Sequence, residues 1–336
     1  MALDSTPWLV GGGAEHSAEV ARLLAYAGTA GAEGIVSAGS LLVRAQATPA
    51  ASVRVAPGAA LILNKYAGGG QQTYVLRNAS QTTVPIRATG STGQRTDMVV
   101  ARILDPQYEG QAPSDPNAFN YSRLEVIESV PPGVWSVDEL GLTYPAVALA
   151  KIHLPNNTAT VTSDMIVDLR EVANPRTNEV WRPRALAGGD SEDLYSRWSN
   201  GGQIFPSAGI QVVRIPKWAT RAQIEMQWLS VRYAANKPNL GRVWVEFGPA
   251  STGSRFQQYT TDSFHFNAPD SGDISRANWI VADDVYIPVA LRGTEQTFVP
   301  VAGIDDGYAT DGVSLDGISG VNLKIRFLEQ ADPSTL

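Results

Sequence analysis

The sequence predicts a mainly β protein: an N-terminal β-rich module with one short helix, followed by a C-terminal jelly-roll-like β-sandwich. Three observations carry this. Of 336 residues, 43% are apolar and only 18% charged, with 31 Gly and 21 Pro, a turn-rich balance that suits strands better than a helical bundle or a disordered chain. From Leu41 onward, apolar residues recur with period two or in short buried runs, punctuated by turn residues. The length exceeds one ordinary domain, so two separate cores are expected.

Taken in order, Val20, Leu23, Leu24 and Ala27 follow Trp8-Leu9-Val10 and three glycines at helical spacing. Glu15 and Glu19 lie in the early turns and Gly28 is a stop, which predicts one helix. Runs at 41–43, 53–55, 61–63, 73–76, 83–86, 98–103 and 124–127 then read as strands. Pro57-Gly58, Gly68–Gly70, Gly90, Gly93 and Asp105-Pro106 separate them. A Pro/Asp/Asn-rich loop fills 105–120, and a last strand at 146–154 leads to Ile166-Val167-Asp168-Leu169.

Between 174 and 202 the pattern loses sustained apolar periodicity, although Val180, Trp181, Leu186, Leu194, Tyr195 and Trp198 are present. The expected organisation is therefore a β-rich module at 1–173, a linker or inter-subunit junction at 174–202, and a β-sandwich at 203–336. In the sandwich, Val321, Leu323, Ile325 and Phe327 alternate with Asn322, Lys324 and Arg326 as one core-facing strand. In 222–233 the apolar phase changes, which predicts a bulge near Trp228.

The net charge is -7. Lys and Arg number 11 against 15 Asp and Glu in residues 1–173, and 15 against 18 in the remainder, with no basic run, so nucleic acid is not an expected partner. With no cysteine, disulfides, thiolate catalysis and sulfur-ligated zinc are excluded. No basic-then-apolar leader and no stretch approaching ~20 apolar residues is present, so a soluble chain without membrane insertion is expected.

Three stretches, 53–62, 83–103 and 144–170, carry a resemblance to the minor tail and baseplate proteins of long-tailed phages that infect actinobacteria. The resemblance covers about half the chain. It implies that the first ~170 residues seat the protein on the tail tip, while the variable remainder is a sandwich domain. It also implies a virion protein assembled in the host cytoplasm beside other tail-tip proteins, as a closed homo-oligomer, a trimer, because tail tips have threefold or sixfold symmetry. Within these motifs Arg95 and Asp97 flank a buried strand, and Asp168 with Arg170 ends the module. All four are expected to form scaffold ion pairs or caps, within the module or to a neighbouring subunit.

No constellation predicts catalysis, a cofactor or a metal. Gly11-Gly12-Gly13 before a helix lacks the third glycine position and the βαβ context of a dinucleotide site. Ser191 in Gly-Asp-Ser, with Asp262 and His265, imitates a serine esterase, but the residues between are strand-like. His16, His153 and His265 are far apart in sequence, and Asp305, Asp306, Asp311 and Asp316 do not match a calcium loop, so they read as turn residues. Glu225 and Glu246 on strands leave a glycan-cleaving carboxylate pair to be excluded by distance.

Sugar binding is favoured over cleavage, because Trp218, Trp228, Trp244, Trp279, Tyr259 and Tyr286 offer flat apolar faces with polar handles. Of these, Trp218, Trp244, Tyr259, Trp279 and Tyr286 are the candidate contacts for a partner or host-envelope glycan, although most are expected to fill the core. The expectation is a non-enzymatic virion protein of the tail tip. A cell-envelope glycan depolymerase and a purely architectural baseplate component stay open at this point.

Overall fold

The structure is a computed structural model that describes residues 10, 12–13, 16–91, 93–250 and 257–332. Trp8, Leu9, Gly11 and Glu15 lie outside the described residues. The protein is mainly β and divides into two compact units: unit 1 comprises 1–175 and 330–336, unit 2 comprises 176–329.

Unit 1 begins with α1 (Ala18–Gly28), whose N-cap Ser17 accepts bonds from the Glu19 and Val20 amides. The residue it buries is Arg22, whereas Leu23 and Leu24 are 41% and 52% exposed. The apolar stripe read from the sequence therefore faces outward. Arg22 instead holds the helix by bonds to Gln72, Asp105, Gln107 and Tyr108.

Ten strands follow in unit 1: β1 (Gly34–Ile35), β2 (Val43–Ala45), β3 (Ser52–Val55), β4 (Gly58–Leu63), β5 (Thr73–Asn78), β6 (Thr82–Pro85), β7 (Arg95–Ile103), β8 (Ser122–Ile127), β9 (Ala146–Leu154) and β10 (Ile166–Asp168). They form two three-stranded sheets, β1-β4-β5 and β2-β3-β6, and a four-stranded sheet β10-β9-β7-β8. Strand β7 reads as a continuous apolar run because it is buried on both faces. Val99, Ala101 and Ile103 join the main core, while Met98 and Val100 join a smaller one with Val130 and Val137.

Unit 2 holds β11 (Thr177–Ala185), β12 (Glu192–Asp193), β13 (Gln203–Ile204), β14 (Gln211–Arg214), β15 (Arg221–Tyr233), β16 (Asn239–Ala250), β17 (Gln257–Thr260), β18 (Phe264–Ala268), β19 (Ser275–Tyr286), β20 (Glu295–Ile304), β21 (Val313–Leu315) and β22 (Gly320–Leu328). One sheet runs β11-β22-β15-β19. In the other, β13 and β14 share one edge of β20, then comes β16, and β17 and β18 share the far edge of β16. Counting each shared edge as one strand gives orders 1-8-3-6 and 2-7-4-5, all antiparallel, which is the jelly-roll arrangement of two interleaved Greek keys. The short β12 and β21 extend the first sheet.

The two sheets face each other across one core. The Trp279 ring stacks on Phe266 at 4.2 Å, and Phe247 stacks on Phe298 at 5.5 Å. Trp228 is fully buried, and its indole N–H donates to the Phe205 carbonyl. The pairing of β15 with β19 slips between Trp228 and Val231, with Ser230 at φ +58°, so the phase change in the sequence is a bulge.

The expected linker at 174–202 is corrected. Residues 177–185 form β11, which pairs with β22 along its whole length, from Thr177 opposite Leu328 to Ala185 opposite Gly320. The segment lacks periodic burial because it is an edge strand, and Val180 alone in it is partly buried. The expected end of the sandwich is corrected too. Unit 2 closes at Glu329, and the chain returns to unit 1, where Ala331 packs on the main core and the Asp332 amide donates to the Ala38 carbonyl at 3.2 Å. Arg176 and Glu329, the two ends of unit 2, are joined by charge-assisted bonds of 2.7 and 2.6 Å.

Candidate functional site

The clearest concavity that brings aromatic and polar side chains together lies on the outer face of the second sheet of unit 2. Along β16 the side chains of Val243, Val245 and Phe247 enter the core, so Arg242, Trp244 and Glu246 project from the opposite face. The turn at 195–202 folds down over that face. The Tyr195 and Ser196 amides donate to the Gln203 side-chain carbonyl at 2.9 and 3.0 Å, and Gly201 and Gly202 take φ +79° and +73°.

Glycine is required at two contacts of this turn. A Cβ at Gly202 would overlap the Ala302 carbonyl and lie 2.7 Å from the Trp244 ring, and one at Gly303 would lie 2.9 Å from the Trp198 backbone. The turn thus places Trp198 beside Trp244. The Arg242 guanidinium backs the Trp198 ring at 4.5 Å and is itself drawn toward Asp305 at 3.3 Å, leaving Trp198 40% exposed.

Between this turn and β17 lies a cavity of about 630 Å³, within the range of small-molecule sites. Trp244 forms part of its wall, with its indole N–H donating to Glu246 at 2.9 Å, while the Gln257 amide donates to the other Glu246 oxygen at 3.0 Å. Gln258, Asn200 and Asp262 add polar groups at the rim. The arrangement can stack a flat or polyhydroxylated ring and hydrogen-bond its edge.

The structure distributes the other candidate contacts. Trp279 is a core residue, 5% exposed, donating to the Tyr233 hydroxyl at 2.6 Å, so it cannot reach a partner. Burial raises the Tyr233 pKa, a shift that this bond from Trp279 opposes. Tyr259 stacks on Phe247 and packs on the core, and Trp218 is half-buried near the Arg176 guanidinium at 5.4 Å. Tyr286 is 43% exposed and meets Arg292. Trp198 was not among the sequence candidates because it fell in the apparent linker. The signal available was an aromatic residue two positions before an Asn-Gly-Gly turn.

In unit 1, Arg95 donates to both Asp97 oxygens at 2.7 and 2.8 Å, and Asp97 also accepts from the Ser129 amide. Arg170 binds both Asp168 oxygens and the Ala38 and Ser40 carbonyls.

The apparent reactive sets are taken apart. Glu225 pairs across the first sheet with Lys324 and lies on its outer face, whereas Glu246 lies on the outer face of the second. Two sheets ~10 Å apart separate them, which rules out this pair as an acid and base on one bond. Ser191 donates to the Gly188 carbonyl, His265 lies 3.9 Å from Asp305, and the Asp262 amide is held by Asp283, so the three do not form a triad. Asp305, Asp306, Asp311 and Asp316 turn to Arg242, Ser199, Lys237 and Arg276, four different partners.

No protein-family model and no curated protein matches the sequence. Among solved structures, the chain is similar to infectious bursal disease virus VP2 in its subviral particle, with 14% identity, 90% of this chain and 71% of that one covered, and a TM-score of 0.24. It is similar to the N-terminal CBM22-1-CBM22-2 tandem domain of Paenibacillus barcinonensis Xyn10C at 8% identity, covering 89% of this chain and 97% of that one, with a TM-score of 0.23. These scores are far below 0.5 and transfer neither fold nor role. The class defined here rests on the chain's own strand order and geometry: a two-unit β protein whose jelly roll carries an open aromatic and polar cavity.

Proposed function

We propose that the chain is a structural and adhesive protein of a phage tail tip, anchored through unit 1 and presenting unit 2 to the host surface, and that it assembles as a closed homotrimer without catalysing a reaction. The observation that carries this reading is the jelly roll of unit 2 with an exposed Trp198 platform over a polar cavity, next in sequence to a module whose motifs resemble tail-attachment proteins. The outward Leu23 and Leu24 of α1 supply unit 1 with apolar surface of the kind that assembly covers.

A density map of intact tails decides the location: the reading expects the chain at the tip in threefold copies with unit 2 outward. Unit 2 fully covered by neighbours would favour the architectural reading, and absence from the tail would overturn the proposal. Purified protein is expected to leave simple esters and host-envelope glycan unhydrolysed. Turnover lost in Ser191→Ala would contradict that.

A further inference from the structure

We infer that a cleft in unit 1, where three sheet edges meet, receives an extended acidic segment of an adjoining protein. This rests on the reading of unit 1 as the anchoring module and names the chemistry of what it holds.

The sheets place the cleft. Strands β5, β6 and β8 each end their sheet, in the orders β1-β4-β5, β2-β3-β6 and β10-β9-β7-β8. Residues 76–78, 82–85 and 120–125, from these strands and the approach to β8, line one cavity of about 540 Å³. Among the described residues, no backbone hydrogen bond joins the three strands to one another.

Pairing fixes which backbone groups reach the open edges. In an antiparallel ladder, hydrogen-bonded and non-bonded residue pairs alternate. The Ile86 amide donates to the Ala51 carbonyl and the Leu104 amide to the Tyr121 carbonyl, which sets the phase of β3 with β6 and of β7 with β8. Counting on by twos, Thr83 of β6 and Ser122 and Leu124 of β8 take non-bonded positions, so their amides and carbonyls point away from the paired strand. Pro85, at the next such position of β6, has no amide to leave unpaired. An edge with donors and acceptors turned outward is completed by another extended backbone.

Charge selects the segment. Leu76 and Leu124 turn to the main core, so Arg77 and Arg123 stand on the opposite faces of their strands. Arg77 makes no hydrogen bond or ion pair among the described residues. Arg54, directly opposite Thr83 on β3, makes none either, and its Nε is shielded from water. The carboxylate of the lining, Glu125, is already held by Arg102 at 3.0 Å. These cations run against the charge of their own module, which has 11 Lys and Arg against 15 Asp and Glu over residues 1–173. Acidic side chains at alternate positions of an added strand would meet them while its backbone bonds the edges, and a basic segment would be repelled.

The test is amide hydrogen exchange and fluorescence polarisation on the intact chain. In the free protein the Thr83, Ser122 and Leu124 amides should exchange at least tenfold faster than those of Val84 and Arg123. The probes are labelled decapeptides with Glu, Gln or Lys at alternate positions and Val or Thr between. The Glu peptide should bind at least tenfold more tightly than the other two and slow exchange at Thr83, Ser122 and Leu124. Arg77→Ala with Arg123→Ala should weaken it at least tenfold with unchanged melting, and Arg182→Ala in unit 2 should not. The inference is overturned if the outward amides are already protected, if the Glu peptide fails or gains nothing over the others, or if the folded double variant binds normally. Equal binding of a backbone N-methylated Glu peptide or of inorganic polyphosphate also overturns it, since the cleft would then be a plain anion site. Incorporation into tails separates the two levels. Incorporation unaffected by the double variant removes the cleft as the seat and leaves the tail-tip reading standing, while peptide binding by a chain absent from wild-type tails does the reverse.

Discussion

Among the described residues, unit 1 buries the charged side chains Arg22, Asp97, Lys151, Arg170 and Asp332, whereas Glu329 is the one buried charge of unit 2. The cause lies in the size of the sheets. The three- and four-stranded sheets of unit 1 leave long connections whose carbonyls turn inward, and cations cap them. Arg170 binds the Ala38 and Ser40 carbonyls, and the Lys151 ammonium binds those of Pro132 and Val134, each at 2.7 Å, above the Trp135 ring. Unit 2 closes two larger sheets on each other and needs aromatic volume instead. The comparison shows two ways to specify a β fold: one by satisfying buried charge, the other by filling an apolar layer.

The largest expected effects break each unit by its own means. Arg170→Met leaves Asp168 without its cation, the Ser40 carbonyl without the Arg170 donor and the Ala38 carbonyl with the Asp332 amide alone, and should destabilise unit 1 by about 3–5 kcal/mol. Trp228→Ala empties the centre of the unit 2 core and should cost a similar amount, about 3–5 kcal/mol. Six of the eight tryptophans lie in unit 2, so emission reports that unit and calorimetry reports both. Arg170→Met is expected to move a calorimetric transition while the emission midpoint stays. A common shift in both variants would show that the units do not melt separately.

A smaller effect is expected at the turn that builds the cavity. Gly202→Ala must accommodate φ +73° and the Ala302 carbonyl, for about 1–3 kcal/mol, measured by denaturant unfolding. It should also displace Trp198 from Trp244 and change the emission of the folded state. An unchanged spectrum would separate Trp198 from the geometry assigned to it.

The smallest effect is on pH. Glu109 in unit 1 has its pKa lowered: burial pushes the other way, and hydrogen bonds from Arg102 and Tyr66 outweigh it. Asp316 in unit 2 is lowered chiefly by hydrogen bonds from Arg276. A carboxyl whose folded pKa is depressed adds stability above its unfolded pKa, and that stability is lost as pH falls through the folded value. Both units should therefore lose stability as pH drops below about 4. Both side chains are partly exposed, so Asp316→Asn should flatten the acid limb of unit 2 only slightly in a melting series.

The sequence by itself determined what depends on local pattern. The β class, the helix with its stop at Gly28, the alternating last strand and the bulge near Trp228 all follow from period and turn chemistry within a dozen residues. It also separated two cores, with the change near residue 174 close to the observed boundary after Pro175.

Tertiary structure decided everything that depends on a distant partner. Strand β11 was illegible because an edge strand buries almost nothing of its own, and its identity comes from β22 at the other end of unit 2. The outward Leu23 and Leu24 look like a core stripe until the bonds of Arg22 are seen. Trp198 and Trp244 line one cavity because Gly202 and Gly303 let a turn approach the sheet, while Glu225 and Glu246, both plain strand carboxylates in sequence, end on opposite sides of the sandwich. Period two states that a side chain alternates between faces. Which face looks outward, and what stands beside it, is set by pairing across the sheet and by packing between sheets.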